Sequence, residues 1–172
     1  RLSWAAGLER RTESASLDSG QSDDLGTSSI YGTVLFPLTS RVTVGAALRH
    51  DDTDDFGAAT TGRLTAHVDL GAGFGLSGAF GTGFKAPTVS QSVCDFCFSA
   101  DPFPTLRPEH AEGAELALGW QSPDGGLTGR LTVYRLTIED QIIYRFDPVT
   151  FDSVYINLDR TRTDGIELEG RA

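Results

Sequence analysis

Two cysteines in this sequence have a spacing that could support chemistry. Cys94 and Cys97 are separated by two residues, which suits a disulfide, a dithiol redox motif or half of a zinc site. A redox motif would need a βαβ context, which the sequence does not offer. Zinc needs about four ligands, and His110 is the one other candidate nearby. We therefore favour a disulfide that stiffens its loop and has no catalytic role.

Four carboxylates are gathered within five residues of a second segment. Calcium takes six to eight oxygen ligands, and a flexible loop rich in aspartate can supply several. The spacing is not that of an EF-hand, which also requires glycine and glutamate at fixed positions. A solvated acidic loop tip is the alternative, and no other cofactor is expected. The calcium candidates are Asp51, Asp52, Asp54 and Asp55.

Three phenylalanines, Phe96, Phe98 and Phe103, lie in the same long segment as the cysteines. They are candidates for contact with an apolar ligand, or they pack the loop onto itself. The three histidines have no serine or cysteine placed with them as a nucleophile would be. A phosphate-binding loop and a dinucleotide-binding fingerprint are also missing. The sequence is therefore expected not to encode an enzyme.

Bulk composition narrows the class of protein further. The chain has 172 residues and a net charge of −10, which makes nucleic acid an unsuitable partner. It contains no run of about 18 apolar residues, so no transmembrane helix is expected. The sequence begins at Arg1 and contains no methionine. We expect residues 1–172 to be a fragment of a longer protein.

The segments that must position these residues alternate apolar and polar side chains with a period of two, as strands do. The connections between them are alternately long and short. Trp4, Phe36, Phe74 and Trp120 lie at the short-turn end of their strands. The predicted strands cover residues 2–15, 29–36, 42–49, 62–70, 74–85, 112–120, 127–145 and a final segment that ends at Gly170.

This pattern predicts an all-β fold, namely part of an antiparallel up-and-down transmembrane β-barrel with about eight long strands. Outer-membrane barrels have short periplasmic turns, longer extracellular loops and aromatic girdles at both interfaces. The final strand is also longer than the roughly 9–11 residues that cross a bilayer. A secreted β-sandwich with aromatic residues capping its core is the alternative.

Two finer expectations concern side-chain direction. An irregularity is predicted near Arg135, where the apolar residues change parity. Several charged residues are expected to point into the barrel, where they either line a wet lumen or form salt bridges to a plug. These residues are Arg63, Asp69, Arg160, Arg162, Asp164, Glu167 and Glu169.

Four segments in the second half resemble TonB-dependent outer-membrane receptors. An aromatic and a basic residue precede Ala-Pro-Thr at residues 83–88, and Leu-Arg-Pro-Glu at 106–109 is followed by Glu-Leu at 115–116. The strand at 133–144 and the pattern Tyr155-Ile156-Asn157 with residues 163–169 complete the set in the family's order. The first half matches only in architecture. Family barrels enclose a plug within about 22 strands, so eight strands would cover a slice.

The resemblance implies energised uptake across the bacterial outer membrane. It implies a small-molecule cargo such as a ferric siderophore or cobalamin, contact with outer-membrane lipid, a plug domain and an energising TonB complex. The plug and the terminal strands are absent from this sequence. A passive porin or other outer-membrane channel is one alternative, and a secreted β-sandwich binding module is another.

Overall fold

Eight antiparallel strands form one sheet in the computed structural model, which describes residues 1–16, 22–94, 96–99 and 101–172. A single short helix, α1 (Val89–Val93), lies between β5 and β6. The strands are β1 (Ser3–Ser16), β2 (Ser22–Pro37), β3 (Val42–Thr53), β4 (Gly57–Gly71), β5 (Phe74–Lys85), β6 (Glu109–Gln121), β7 (Thr128–Phe146) and β8 (Ser153–Arg171).

Each strand pairs with its neighbours in sequence, in the order β1 to β8. Among the strands of the described residues, β1 pairs only with β2 and β8 only with β7. Both outer edges are therefore open, apart from an isolated bridge between Phe98 and Ser153 of β8. One sheet without a second layer of strands contradicts the β-sandwich alternative, and the all-β up-and-down prediction is confirmed. Among the described residues, no helix has the length and apolar character that crossing a membrane requires.

The hairpins at the long-loop end are taller than predicted. The ladder between β3 and β4 continues to Thr53 and Gly57, so most of the acidic segment is strand. Likewise β2 begins at Ser22, well before the predicted start at Ser29. Polar residues occupy both faces there, so the apolar alternation that marks a strand in sequence is missing.

The two faces of the sheet differ in burial and in polarity. Leu64, Leu116 and Leu168 share one face across the ladders and are 62 %, 50 % and 82 % exposed. Ala117 and Thr132, on the opposite face, are 1 % and 8 % exposed. A soluble protein would bury the leucine face. The exposed apolar face has the character of the outward side of a membrane barrel wall, and it is called the outward face below.

The outward face changes from apolar to polar at a level that shifts steadily across the sheet. The change falls between Leu8 and Arg10 on β1 and between Ile166 and Asp164 on β8. The line of paired residues through Asp164 passes Arg135, Ala114, Phe80, Leu64, Ala46 and Val34 and ends at Trp4.

Trp4 is six positions before Arg10, so the polar boundary moves by about six residues over seven strand steps. With about 3.4 Å per residue and about 4.8 Å between strands, the strands are inclined by about 30°. Closed barrels require a tilt of this size.

The apolar belt has the height of a bilayer core. At its lower end Phe74 pairs with Trp120, with ring centroids 6.3 Å apart. At its upper end Thr82 pairs with Glu112. Eight residues of inclined strand span about 24 Å, close to the roughly 25 Å band of outer-membrane barrels. The girdle predicted at the short-turn end is in this position.

The turn between β4 and β5 depends on glycine. Gly71, Ala72 and Gly73 all have positive φ, a conformation that glycine adopts without steric cost. A Cβ added to Gly73 would lie 2.0 Å from the carbonyl oxygen of Gln121. The backbones of this turn and of β6 therefore approach too closely for any side chain at position 73.

The irregularity predicted near Arg135 is wrong in position. Arg135 pairs regularly with Asp164, and the ladder instead skips Asp140 and Asp159 without a change of register. Asp140 has a φ of 55°. The parity of the apolar residues changes near Arg135 because β7 crosses the polar boundary there and carries Leu136 on its inner face.

Candidate functional site

The connection between β5 and β6, residues 86–108, contacts both the first two and the last two strands of the sheet. Its helix α1 lies against β1 and β2, and Val89 and Val93 are buried, as is Leu25 of β2. Gln91 stabilises the start of the helix because its side-chain oxygen accepts a hydrogen bond from the Thr88 amide at 2.9 Å. The helix gives this long loop an apolar anchor.

The two cysteines follow this helix directly. Cys94 and Cys97 are joined in a disulfide, and the Cys97 amide donates to the Cys94 carbonyl at 3.2 Å. Together these bonds close a tight turn. The turn redirects the chain from β1 and β2 towards β7 and β8.

The segment after the disulfide is hydrogen-bonded to the start of β8. The Phe98 amide donates to the Ser153 carbonyl at 2.9 Å, and the Ser153 amide donates to the Phe98 carbonyl at 2.7 Å. The Ser153 hydroxyl donates to the Phe96 carbonyl at 3.1 Å. Phe98 thus occupies the position that a ninth strand would take at this height.

Aromatic rings gather where this segment meets β7 and β8. Phe96 lies 5.6 Å from Tyr144 and 6.2 Å from Tyr155, centroid to centroid, and the two tyrosines are 5.6 Å apart. All three pairs are edge-on, which is a favoured geometry for aromatic rings. Sequence reasoning named Phe96 as a ligand-loop candidate. It assigned neither tyrosine to a site, although Tyr155 lies in one of the motifs of the family resemblance.

The β5–β6 connection contacts both outer parts of the sheet within a short stretch of chain. Val93 belongs to the helix that lies against β1 and β2, and Phe96 packs on β7 and β8. Three residues reach at most about 11 Å. The connection therefore lies within reach of both outer parts of the sheet at its long-loop end, which is called here the mouth.

A hydrogen-bonded clamp fixes the return of the connection to β6. Arg107 donates to Asp140 Oδ1 from Nε at 3.1 Å and from Nη2 at 2.5 Å. The Asn157 amide group donates to the Arg107 carbonyl at 2.9 Å and to the Asp140 carbonyl at 2.6 Å, and its oxygen accepts from the Arg107 amide at 2.9 Å. Both Arg107 and Asn157 belong to motifs of the family resemblance, which was the available signal.

The four calcium candidates are not brought to one point. Asp51 accepts hydrogen bonds from Ser29 Oγ at 2.5 Å and from Arg49 Nε at 2.8 Å. Asp54 pairs with Arg10 at 3.3 Å. Asp51 and Asp52 are adjacent in β3, so they point to opposite faces. In the described ranges no group of three or more His, Cys, Asp or Glu side chains could hold a metal ion, and loop-bound calcium stays a prediction without geometric support.

Three of the charged residues expected to point inward lie on the outward face. Arg160, Arg162 and Asp164 share the parity of Ile166 and Leu168, above the apolar belt. Asp164 accepts from Arg135 Nε at 2.6 Å and from Arg162 Nε at 2.8 Å, and Arg160 pairs with Glu139. The expectation for these three residues is wrong because the outward face itself becomes polar above the belt.

The opposite, inner face carries its own ion pairs. Arg63 of β4 bonds Glu115 of β6 at 3.1 Å, across the intervening strand β5. Arg49 of β3 bonds Glu9 of β1 at 3.2 Å and Asp51 at 2.8 Å. Charged side chains on one face of the sheet can thus pair with each other without a ligand, and a water-filled interior is sufficient to solvate them.

The other two phenylalanines named from the sequence are exposed. Phe98 is 61 % exposed although its backbone is bonded to β8, and Phe103 is also exposed. Beyond them, Phe146 and Phe151 contact each other at the tip of the β7–β8 hairpin, with centroids 6.4 Å apart. Exposed aromatic side chains therefore concentrate at the long-loop end of the sheet.

Known proteins share this architecture. Over 98 % of its length the chain superposes on 35 % of the siderophore receptor PirA from Pseudomonas aeruginosa, with a TM-score of 0.81 and 21 % identity. A mutant of the ferric enterobactin receptor PfeA from the same organism, in complex with enterobactin, gives a TM-score of 0.82 at 17 % identity, with 98 % of this chain and 30 % of that chain covered. At these identities the likeness shows the fold alone.

Sequence comparison points to the same group of proteins. The chain is 28 % identical to the vitamin B12 transporter BtuB of Photobacterium profundum, over 97 % of this chain and 27 % of that protein. It is 29 % identical to BtuB of Vibrio vulnificus, over 74 % of this chain and 20 % of that protein. The chain therefore spans about a quarter of the length of these relatives.

A family model describes nearly the whole chain. The model for the TonB dependent receptor-like β-barrel matches residues 5–172, which include the β5–β6 connection and all strands except the first two residues of β1. It also covers the four segments on which the resemblance was based. This chain belongs to the TonB-dependent receptor-like β-barrel family.

Proposed function

We propose that this chain forms part of the wall and the outer mouth of a receptor that imports a scarce small molecule across the bacterial outer membrane. The observation that carries the proposal is the combination of a lipid-facing apolar belt with long, ordered connections at one end only. A belt of this height suits a membrane, and loops at one end provide a binding surface on one side of it.

The chain acts as one section of a larger barrel. Its open edges on β1 and β8 leave backbone groups that further strands of the same protein would pair with. The chain covers only 27 % of the BtuB relative from Photobacterium profundum, which supports a larger barrel in the complete protein. In the complete protein, the concave polar face would surround a plug domain, and a TonB-type complex would deliver energy through that plug.

The cargo is a small molecule of one of the classes named for the relatives. Two of them are named as vitamin B12 transporters, and the structural neighbours are named as siderophore and ferric enterobactin receptors. A role without catalysis agrees with these names. A passive channel, the main alternative, would admit solutes without energy, and its family would differ from the one to which this chain belongs.

Uptake in cells tests the proposal. A strain that lacks the parent gene would be complemented with the full-length protein, and uptake of radiolabelled vitamin B12 and of ferric enterobactin would be measured with and without a protonophore. The proposal predicts saturable uptake of a cargo that stops when the protonophore is added. Uptake that continues at the same rate would identify a passive channel and overturn the proposal.

A further inference from the structure

The free edge of β8, which is the edge not paired with β7, already has a partner at Ser153. The Ser153 amide donates to the Phe98 carbonyl at 2.7 Å, and the Phe98 amide donates to the Ser153 carbonyl at 2.9 Å. The Ser153 hydroxyl accepts from the Phe98 amide at 3.1 Å and donates to the Phe96 carbonyl at 3.1 Å. The amide, the carbonyl and the side chain of Ser153 are therefore all bound to the β5–β6 connection.

This contact has the geometry of a strand pair. Phe98 and Ser153 form an antiparallel bridge and exchange both backbone hydrogen bonds, as residues of a hydrogen-bonded antiparallel pair do. Continuing the register by two residues in each segment places Phe96 opposite Tyr155, and their ring centroids are 6.2 Å apart. Residues 96–98 thus run along the free edge of β8 in the manner of a short strand.

The upper part of the β7–β8 hairpin rises above its neighbour on the other side. The ladder between β6 and β7 ends at His110 and Glu139, whereas the ladder between β7 and β8 continues to Phe146 and Ser153. Phe146 is seven positions beyond Glu139. On the β6 side, the neighbouring strand therefore stops well below the top of this hairpin.

The edge at Ser153 can serve one partner only. Unpaired amide and carbonyl groups at a sheet edge are a template for another strand, but both groups of Ser153 are in use. Ser153 is 7 % exposed and Val154 is 4 % exposed, so this part of the edge is shielded. Helix α1 on β1 and β2 and the disulfide hold the connection in place. Below this point, no strand of the described residues covers the same edge.

We propose that the β5–β6 connection is the permanent partner of β8 at the mouth, and that the next strand of the complete receptor pairs with β8 only below Tyr155. This inference rests on the proposed function, because it takes the chain to be one section of a larger barrel. The rim of that barrel then has a step beside β8, where the wall ends lower than the β7–β8 hairpin. The connection fills this step and keeps the edge of the hairpin from pairing with other chains.

Hydrogen exchange in the full-length receptor in lipid vesicles tests the pairing. Phe98→Pro removes the amide that donates to Ser153, whereas Phe98→Ala keeps this amide and is the matched control. We expect the Ser153 amide to exchange slowly in the wild type and about tenfold or more faster in Phe98→Pro, with a much smaller change in Phe98→Ala.

Two results of this experiment overturn the inference. If a further strand is the partner of β8 at this height, the Ser153 amide stays equally protected in Phe98→Pro and Phe98→Ala. If the bridge does not form in the complete barrel, the Ser153 amide exchanges rapidly in the wild type.

A cross-link gives a second test that does not depend on a proline variant. The Cα atoms of a hydrogen-bonded antiparallel pair lie about 5.5 Å apart, which is within the range that a disulfide bridges. The double variant Phe98→Cys, Ser153→Cys is expected to form a bond between positions 98 and 153 on mild oxidation, identified by mass spectrometry of proteolytic fragments. The control Phe98→Cys, Asp159→Cys lies six positions lower on β8 and is expected to give none. Equal yields from the two variants, or no bond in either, overturn the inference.

The uptake assay separates this inference from the proposed function. A Ser153 amide that does not depend on Phe98, in a receptor whose uptake stops with the protonophore, overturns the inference about the edge and leaves the receptor function intact. Uptake that ignores the protonophore overturns the receptor function, whichever segment pairs with Ser153.

Discussion

Trp4 and Asp164 lie on the same line of paired residues, although Trp4 is at the lower end of the apolar belt and Asp164 is above its upper edge. One line of pairs therefore crosses the whole belt within eight strands. The tilt of the strands can be calculated from this relationship, and every residue of the outward face can be placed at a height relative to the apolar belt.

The level of an outward residue should decide the effect of a charge placed there. Leu116→Arg puts a guanidinium within the belt and is expected to lower the free energy of unfolding by about 2–4 kcal/mol. Thr137→Arg, on the same face but above the belt beside Glu112, is expected to change it by less than about 1 kcal/mol. Urea titrations of the full-length protein in lipid vesicles measure both, and equal effects would refute the placement of the boundary.

The β4–β5 turn offers two glycines with the same φ and different surroundings. Gly73→Ala brings a Cβ to 2.0 Å from Gln121 and is expected to cost clearly more than about 1 kcal/mol. Gly71→Ala has a similar φ but nothing within 4 Å, so it carries only the backbone cost of about 1 kcal/mol. The difference between the two variants in urea unfolding isolates the close approach, and identical values would contradict it.

The clamp formed by Arg107, Asp140 and Asn157 should control local opening of the β5–β6 connection. Asn157→Ala removes the side-chain bonds to Arg107 and Asp140, whose loss is expected to destabilise the connection by about 1–3 kcal/mol. Hydrogen exchange of residues 101–108 should accelerate about tenfold or more, while β3 and β4 are unaffected. The variant Thr163→Ala, in the same strand but outside the clamp, serves as control. Uniform acceleration would indicate global destabilisation instead.

The disulfide should be local in its effect. It joins residues only three apart. The stabilisation expected from a disulfide is smaller for a shorter loop, and it is about 3 kcal/mol for a loop of 15 residues. Maleimide labelling should modify neither cysteine before reduction and both afterwards. Reduction should increase proteolysis within residues 86–108 without shifting the unfolding transition of the barrel. Labelling without reductant would show that the thiols are free.

The tip of the β7–β8 hairpin should lose stability in acid. Backbone amides of Val149 and Thr150 donate to the Asp147 carboxylate at 2.8 and 3.3 Å and lower its pKa below the ordinary value. A lowered pKa contributes stability that is complete above the unfolded value near pH 3.9 and is lost as pH falls through the folded value. Exchange protection of these two amides should therefore persist at pH 5 and disappear in stronger acid. In Asp147→Asn the residual protection should not depend on pH.

Sequence patterning was sufficient to predict the strands of the apolar belt, because one face of each strand is apolar there and the other is polar. It was insufficient above the belt. Arg160 and Arg162 have the parity of the apolar residues, yet they are charged, and only the register to β7 shows that they lie above the boundary. The contacts of Tyr144 and Tyr155 with Phe96 could not be predicted, because they depend on a connection of irregular structure. Such contacts between distant segments leave no periodic signal.

The bonds between Phe98 and Ser153 join residues 55 positions apart, and this separation sets an order of events. The connection that carries the cysteines can reach its final place only after β8 has paired with β7. Until then Phe96 has no contact with Tyr144 or Tyr155, and the long-loop end of the sheet is unfinished. A chain halted part-way through assembly would accordingly have its apolar belt in place while its β5–β6 connection is still unattached.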